Sequence, residues 1–198
     1  MAYFNIDDFE DRRSRQRAMG MNLQTRNAIT DLAGAVLAYA QTGGILNPTR
    51  HELRAGAKIF RFGRSGLPPA AVAAGAWWIE QRAFEKLFGF AQVQELSIAM
   101  AMRCLCLVPP EWSDAGMLVR ARVVRDLLAW RGLGNTVVTP TKDGGAVRLP
   151  HHNELEARRL HQLFIPGLTD VHRAAAALAV EQSYRLSPQE GTRGFLYL

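Results

Sequence analysis

The spacing of apolar and polar residues changes several times along the chain, and each change predicts an element. Residues Ile6 to about Arg17 place acids in front (Asp7, Asp8, Glu10, Asp11) and bases behind (Arg12, Arg13, Arg15, Arg17). That order suits a helix dipole and predicts a solvated helix. From Asn22 to Tyr39, the apolar residues Leu23, Ile29, Leu32, Val36 and Leu37 fall near helical spacing and stop at Gly43-Gly44, which predicts a packing helix. Asn47-Pro48-Thr49 sets a capping side chain before a first-turn proline and predicts a short helix over Pro48 to Arg54.

The next stretch, Lys58 to Glu80, is the most informative. Ala57 to Phe62 reads as an apolar strand with one arginine, Arg61, inside it. A loop rich in glycine and proline follows, with room for one helical turn at Pro69 to Ala74, and Trp77, Trp78 and Ile79 read as a second short strand. Glu80 to Val93 then has Phe84, Leu87, Phe88 and Ala91 on one face against Gln81, Arg82, Glu85 and Lys86, which predicts an amphipathic helix.

Ile98 to Val108 is apolar except for Arg103 and ends at Pro109-Pro110, which fits a buried strand or the end of a helix that turns into one, with strand favoured near its C-terminal end. Met117 to Val124 alternates, with Arg120 and Arg122 on one face of a half-exposed strand. Asp126 to Trp130 reads as a helical turn. T-V-V-T-P-T and A-V-R-L-P around K-D-G-G predict a hairpin turning at Asp143-Gly144. Asn153 to Arg159 suggests a helical turn, Leu160 to Ile165 a strand, Asp170 to about Tyr184 an alanine-rich capped helix, and Phe195 to Leu198 a last strand. Helices at the front followed by short strands without a βαβ rhythm imply an α+β fold: N-terminal helices, then a mixed, mainly antiparallel, short-stranded sheet with flanking helices. Residues 1–55 are expected as a helical extension and 56–198 as one α+β core.

Composition adds a partner class. The 198 residues carry a net charge of +6, with 48% hydrophobic and 21% charged side chains, so a folded chain with an anionic ligand or partner is expected. Cys104 and Cys106 sit two apart, on one face of any strand, and read as reduced thiols. The opening residues lack a signal-peptide pattern and no apolar run is long enough to span a bilayer, so the expected setting is cytoplasmic, or that of an effector exported without a cleaved signal.

Chemistry-bearing candidates are few. Arg61 offers a forked guanidinium suited to phosphate oxygens, beside Phe62 and a backbone at Gly63 that lets a ligand approach. Trp77 and Trp78 offer ring faces on opposite sides of a strand, so at most one lines a cleft while the other fills the core, and packing of both in the core is the alternative. The segment 151–168 holds His151, His152, Glu154, Glu156 and His161, in a spacing that matches no zinc pattern, and no metal is expected. Gln162 heads the strand that follows. G-x-S-x-G, Walker and Rossmann fingerprints are absent, which removes support for serine hydrolase, P-loop and dinucleotide-dehydrogenase readings.

Together F-R-F with Arg61, G-A-W-W-I with Trp77 and Trp78, Q-L-F-I-P-G-L with Gln162, and the intervening L-V-R-A-R-V-V-R-D-L-L-A-W-R-G resemble the ADP-ribosyltransferase superfamily of bacterial toxins and effectors. The resemblance spans about Lys58 to Leu168. It implies NAD as the cofactor, with Arg61, Phe62, Gly63, Trp77 and Trp78 binding it, and a protein or nucleic acid as acceptor. It also implies a late strand presenting an acid; Gln162 occupies that place, the family's S-T-S motif is missing, and Glu154 and Glu156 are the nearby carboxylates. A different class remains open. Arg12, Arg13, Arg15, Arg17, Arg120 and Arg122 would serve a non-enzymatic basic module for nucleic acid or an acidic protein, and a structural or assembly protein is the third possibility.

Overall fold

The computed structural model describes residues 2–20, 27–151 and 158–186. The front of the chain forms two one-turn helices, α1 (Ile6–Glu10) and α2 (Ser14–Ala18). Strands follow where helices were expected. The described part of the helix expected over Asn22 to Tyr39 is β1 (Ala28–Thr30) and β2 (Val36–Tyr39), because Asp31 turns the chain by accepting from the backbone N–H groups of Ala33 and Ala35 at 2.9 and 2.8 Å, with Gly34 at positive φ. A short β3 (Gln41–Thr42) leads to β4 (Ile45–Leu53), which replaces the helix expected over Pro48 to Arg54. Asn47-Pro48 falls in a bulge between Leu46 and Thr49, with Asn47 at φ 49°, so the proline sits where the ladder needs no donor.

The Lys58 to Glu80 stretch folds as its pattern predicts, into β5 (Lys58–Gly63), α3 (Pro69–Ala73) and β6 (Trp77–Glu80), followed by α4 (Gln81–Val93). Ile98 to Cys106 is a helix, α5, and not the expected strand. It is buried nearly all round, so no polar face betrays its period, and the readable signal was its cap, Ser97, whose hydroxyl accepts from the Met100 N–H at 3.1 Å. β7 (Met117–Val123) is as expected. The helical turn expected at Asp126 to Trp130 is instead β8 (Leu127–Gly134), held between two neighbours.

β9 (Val137–Pro140) and β10 (Ala146–Leu149) form the predicted hairpin, and β11 (His161–Phe164) the predicted strand. α6 (Val171–Ala177) stops well short of Tyr184, because Leu178 to Arg185 pairs with β7 as β12, across one irregularity at Glu181. Ladder bonds and side-chain pairing override the helix propensity of the alanines. The strand expected at Phe195 to Leu198 and most of the turn at Asn153 to Arg159 lie outside the described residues.

The fold is α+β, and every strand pairing among the described residues is antiparallel. The main sheet has seven strands in the order β12-β7-β5-β6-β11-β8-β4. Among the described residues up to 55, helix is therefore confined to α1 and α2, and β4 belongs to the main sheet rather than to an extension.

Two apolar layers hold the sheet. One gathers Ile59, Trp78, Val119, Ala121, Leu127 and Leu163 with Val72 of α3 and Ala177 of α6. The other gathers Phe60, Ile79 and Leu118 with Leu87 of α4 and Met102 and Leu105 of α5. Asn5, 1% exposed, ties the N-terminal arm to the sheet: its amide donates to the carbonyls of Leu128 and Pro166 at 2.9 Å each and accepts from the Leu128 N–H at 2.9 Å. Asn5→Leu strands three backbone groups in the core and is expected to lower stability by about 3 kcal/mol, read as a shift of the urea midpoint at unchanged slope.

Candidate functional site

β6 joins the two halves of the main sheet with only four residues. Its Glu80 and Ile79 pair with Ile59 and Phe60 of β5, while Trp77 and Trp78 pair with Phe164 and Leu163 of β11. The three strands singled out from the sequence thus stand side by side, and the sheet changes partners at β6.

Beyond that seam, four consecutive strands bring polar residues to the same face, among them Glu80 from β6, His161 from β11, Arg131 from β8 and His51 from β4. The register forces this. Leu163 is opposite both Trp78 and Arg131, and strand alternation carries Glu80 and His161 to their side. His51 Nε2 meets Glu80 Oε1 at 2.9 Å, and Arg131 Nε donates to Glu80 Oε2 at 2.9 Å. The hydrogen bond from His51, then that from Arg131, hold the Glu80 carboxyl down at about 2, against the opposing effect of partial burial. Glu80 is therefore an ionised carboxylate with both oxygens fixed. The His161 imidazole is pushed below its ordinary value, first by burial and then by the positive Arg131, with Glu80 pulling the other way, so it is neutral at pH 7.

A cleft of about 820 Å³ opens over this cluster. His51, Glu80, Arg131 and His161 form its polar floor, Leu53 and Leu160 its apolar wall, and Lys58, Arg82, Lys86 and Arg159 its basic rim. Lys58 and Arg82 are exposed and enter no ion pair with a described residue. A second cavity of about 290 Å³ adjoins it, lined by Leu46, Asn47, Thr49, Gly132 and Leu133, and shares Arg131 and His161 with it. The arrangement suits an anionic ligand whose reacting centre gains positive charge beside Glu80. Among the described residues, no group of three His, Cys, Asp or Glu side chains is placed to hold a metal ion.

The residues chosen from sequence lie elsewhere. Arg61 stands towards the other end of β5 from Lys58. Its Nε donates to the carbonyl of Val72 and its Nη1 to that of Trp77, both at 2.7 Å, and burial pushes the guanidinium down to about 10. It packs against Gly75, where an added Cβ would fall 2.1 Å from Nη2. Trp78 is 2% exposed and donates from Nε1 to the Gly75 carbonyl at 2.7 Å, while Trp77 meets the Phe164 ring edge-on at 5.1 Å. Phe62 packs on the α4–α5 layer, and Gly63 lies against the Val72 side chain.

Gln162 takes the opposite face of β11 from His161, is buried, and donates to the Cys106 carbonyl at 3.0 Å. Arg61 and the tryptophans therefore meet at the 72–77 loop, and Gln162 does not join them. Glu154 and Glu156 lie outside the described residues. Of the other arginines, Arg17 pairs with Asp11 at 3.0 Å, Arg120 and Arg122 both reach Glu181 at 3.4 and 2.9 Å, and Arg12, Arg13 and Arg15 are exposed. Both parts of that basic set, the N-terminal arm and β7, are thus partly neutralised by acids of the same chain.

His51 and Arg131 were not among the residues singled out from the sequence, since helix was expected over Pro48 to Arg54 and Asp126 to Trp130, and Glu80 figured there only as the start of a helix. Only the C-terminal position of Glu80 on a strand, ahead of a helix, marked it locally.

No family model matches the chain, and no curated protein matches it. Among solved structures, it is similar to a chain in "Rhs1-CT in complex with cognate immunity protein RhsI1", with a TM-score of 0.42 and 13% identity, over 74% of this chain and 86% of that one. No helix among the described residues is long and apolar enough to cross a membrane.

Proposed function

We propose that the chain is an NAD-dependent ADP-ribosyltransferase-like protein and that the cleft over Glu80 is where it takes the dinucleotide. The observation that carries the reading is Glu80 itself, an ionised carboxylate fixed by His51 and Arg131 at the floor of a cleft with a basic rim. Its position at the junction of β5, β6 and β11, the three strands of the sequence resemblance, adds support. The donor set fits the ligand: Lys58 and Arg82 suit a pyrophosphate, and a volume of about 820 Å³ lies within the usual range for small-molecule sites, roughly 300–1,000 Å³.

NAD would supply a ribose–nicotinamide bond whose opening leaves positive charge on the sugar. Glu80 faces that charge, as a carboxylate does in glycoside hydrolysis. Lys58 and Arg82 hold the phosphates, and Leu53 and Leu160 keep one wall dry. In this reading Arg61 shapes the 72–77 loop, since its fork is engaged by two carbonyls, and the phosphate role given to it by the resemblance passes to the rim. The toxin or effector setting, and a protein or nucleic acid as acceptor, come with the resemblance.

The test is to incubate the purified chain with NAD and follow nicotinamide by chromatography, alongside the thermal midpoint. Release of nicotinamide and a rise in the midpoint are expected, and the double charge reversal Lys58→Glu, Arg82→Glu is expected to raise KM at least tenfold. Neither release nor a shift in the midpoint would overturn the reading. A shift without release would mark a binding protein.

A further inference from the structure

The larger cleft and its smaller neighbour have separate walls but two residues in common, Arg131 and His161. Arg131 is engaged by Glu80, while the exposed His161 side chain opens on both cavities from the first position of β11. The smaller cavity owes its shape to the irregularity in β4. Asn47, at φ 49°, and Pro48 bulge out of the ladder opposite Gly132, and the strand leaves a hollow of about 290 Å³ instead of pairing flush. The residues that line it alone, Leu46, Asn47, Thr49, Gly132 and Leu133, carry no charge, and Arg131, which it shares with the larger cleft, is engaged by Glu80. Its volume suits water or a single hydroxyl-bearing group, whereas a dinucleotide needs the larger cleft.

We propose that this smaller cavity is the acceptor port, and that His161 is the catalytic base that takes the proton of an incoming hydroxyl nucleophile. The inference rests on the Glu80 cleft being the NAD site. The hydroxyl oxygen bonds to the ribose carbon, its proton passes to a ring nitrogen of His161, and nicotinamide departs neutral with the electron pair of the broken carbon–nitrogen bond. His161 must be unprotonated to do this. The titratable and charged groups that face it are Arg131 from β8, Glu80 from β6, Lys86 from α4 and His51 from β4; burial and Arg131 hold its proton affinity low. Water and a hydroxyl side chain share this chemistry, and methanol serves as the probe that separates them.

The full chain is incubated with NAD, with and without methanol, and nicotinamide, ADP-ribose and methyl ADP-ribose are quantified across pH 4 to 8; NMR follows the His161 ring proton in the unliganded chain over the same range. Turnover is expected to fall on the acid side, with the midpoint at the His161 titration seen by NMR, below the ordinary 6.5. Replacing this exposed side chain by glutamine, His161→Gln, is expected to slow nicotinamide release about hundredfold, to remove the acid limb, and to leave the thermal midpoint unchanged. Filling the port with Thr49→Trp is expected to lower the methyl adduct relative to ADP-ribose. Equal rates and pH profiles for the unaltered chain and His161→Gln would overturn this role alone. No nicotinamide from the unaltered chain would overturn the transferase reading and this proposal with it.

Discussion

Glu80→Gln is expected to slow nicotinamide release from NAD by about 10²–10³-fold while the KM changes little, because a neutral amide cannot offset positive charge that exists only as the bond opens. The substitution keeps the side-chain shape and one acceptor, so the loss tracks charge and not volume. It has a second signature, in stability. The folded carboxyl sits at about 2 instead of 4.5, held there first by the His51 hydrogen bond and then by Arg131.

A group depressed by folding contributes stability that is present in full above its unfolded value and is lost as pH falls through its folded value. The unaltered chain should therefore lose thermal stability between about pH 4.5 and pH 2, and Glu80→Gln should lack that portion of the loss. Thermal midpoints of both proteins across that range read the difference. Identical turnover in the two proteins would remove Glu80 from the chemistry and leave it as the tie between β4, β6 and β8.

Arg61→Ala is expected to destabilise the chain by roughly 2–4 kcal/mol in the absence of any ligand. The guanidinium holds the carbonyls of Val72 and Trp77 at 2.7 Å each, and it fills the space that Gly75 leaves open. Removing it orphans two acceptors and leaves a gap beside α3, so the thermal midpoint should drop by roughly 5 to 15 °C. Arg61→Lys should recover only part, since one ammonium does not span two carbonyls in a fixed fork. Gly75→Ala should strain the same loop, because its added Cβ would meet the guanidinium 2.1 Å away. The opposite result, an unchanged midpoint with nicotinamide release abolished, would return Arg61 to the ligand, as the sequence resemblance has it.

The two substitutions separate the site from its scaffold. Glu80 and Arg61 both belong to the Lys58 to Glu80 stretch, but they stand at different ends of the β5–β6 pairing and have different partners. Glu80 reaches forward to β4 and β8, while Arg61 reaches back into its own loop. The aromatic pair follows Arg61: Trp78 is core, and Trp77 packs with Phe164, Trp130 and Ile45.

Where the pattern was local, it could be read. The α+β class, β5, α3, β6, α4, β7, the β9–β10 hairpin and β11 follow from alternation, helical periodicity and turn residues, all of which act over a few neighbours. β4, β8, α5 and β12 could not be read this way, for two physical reasons. A buried element such as α5 has no polar face to reveal its period, and strands such as β4, β8 and β12 exist because a partner strand offers a ladder that no local window contains.

The candidate site inherits that division. From the sequence alone come the basic charge, the fold class, the prominence of the Lys58 to Glu80 stretch and the nomination of β5, β6 and β11. The tertiary structure decided which residues of those strands share a face. Strand alternation turns Gln162 into the core and its neighbour His161 into the cleft, a one-residue difference in register that composition cannot express. It also delivered His51 and Arg131, from strands with no local signal, to the carboxylate of Glu80. Side-chain identity is written in the chain, but convergence on one carboxylate is set by the sheet order β6-β11-β8-β4.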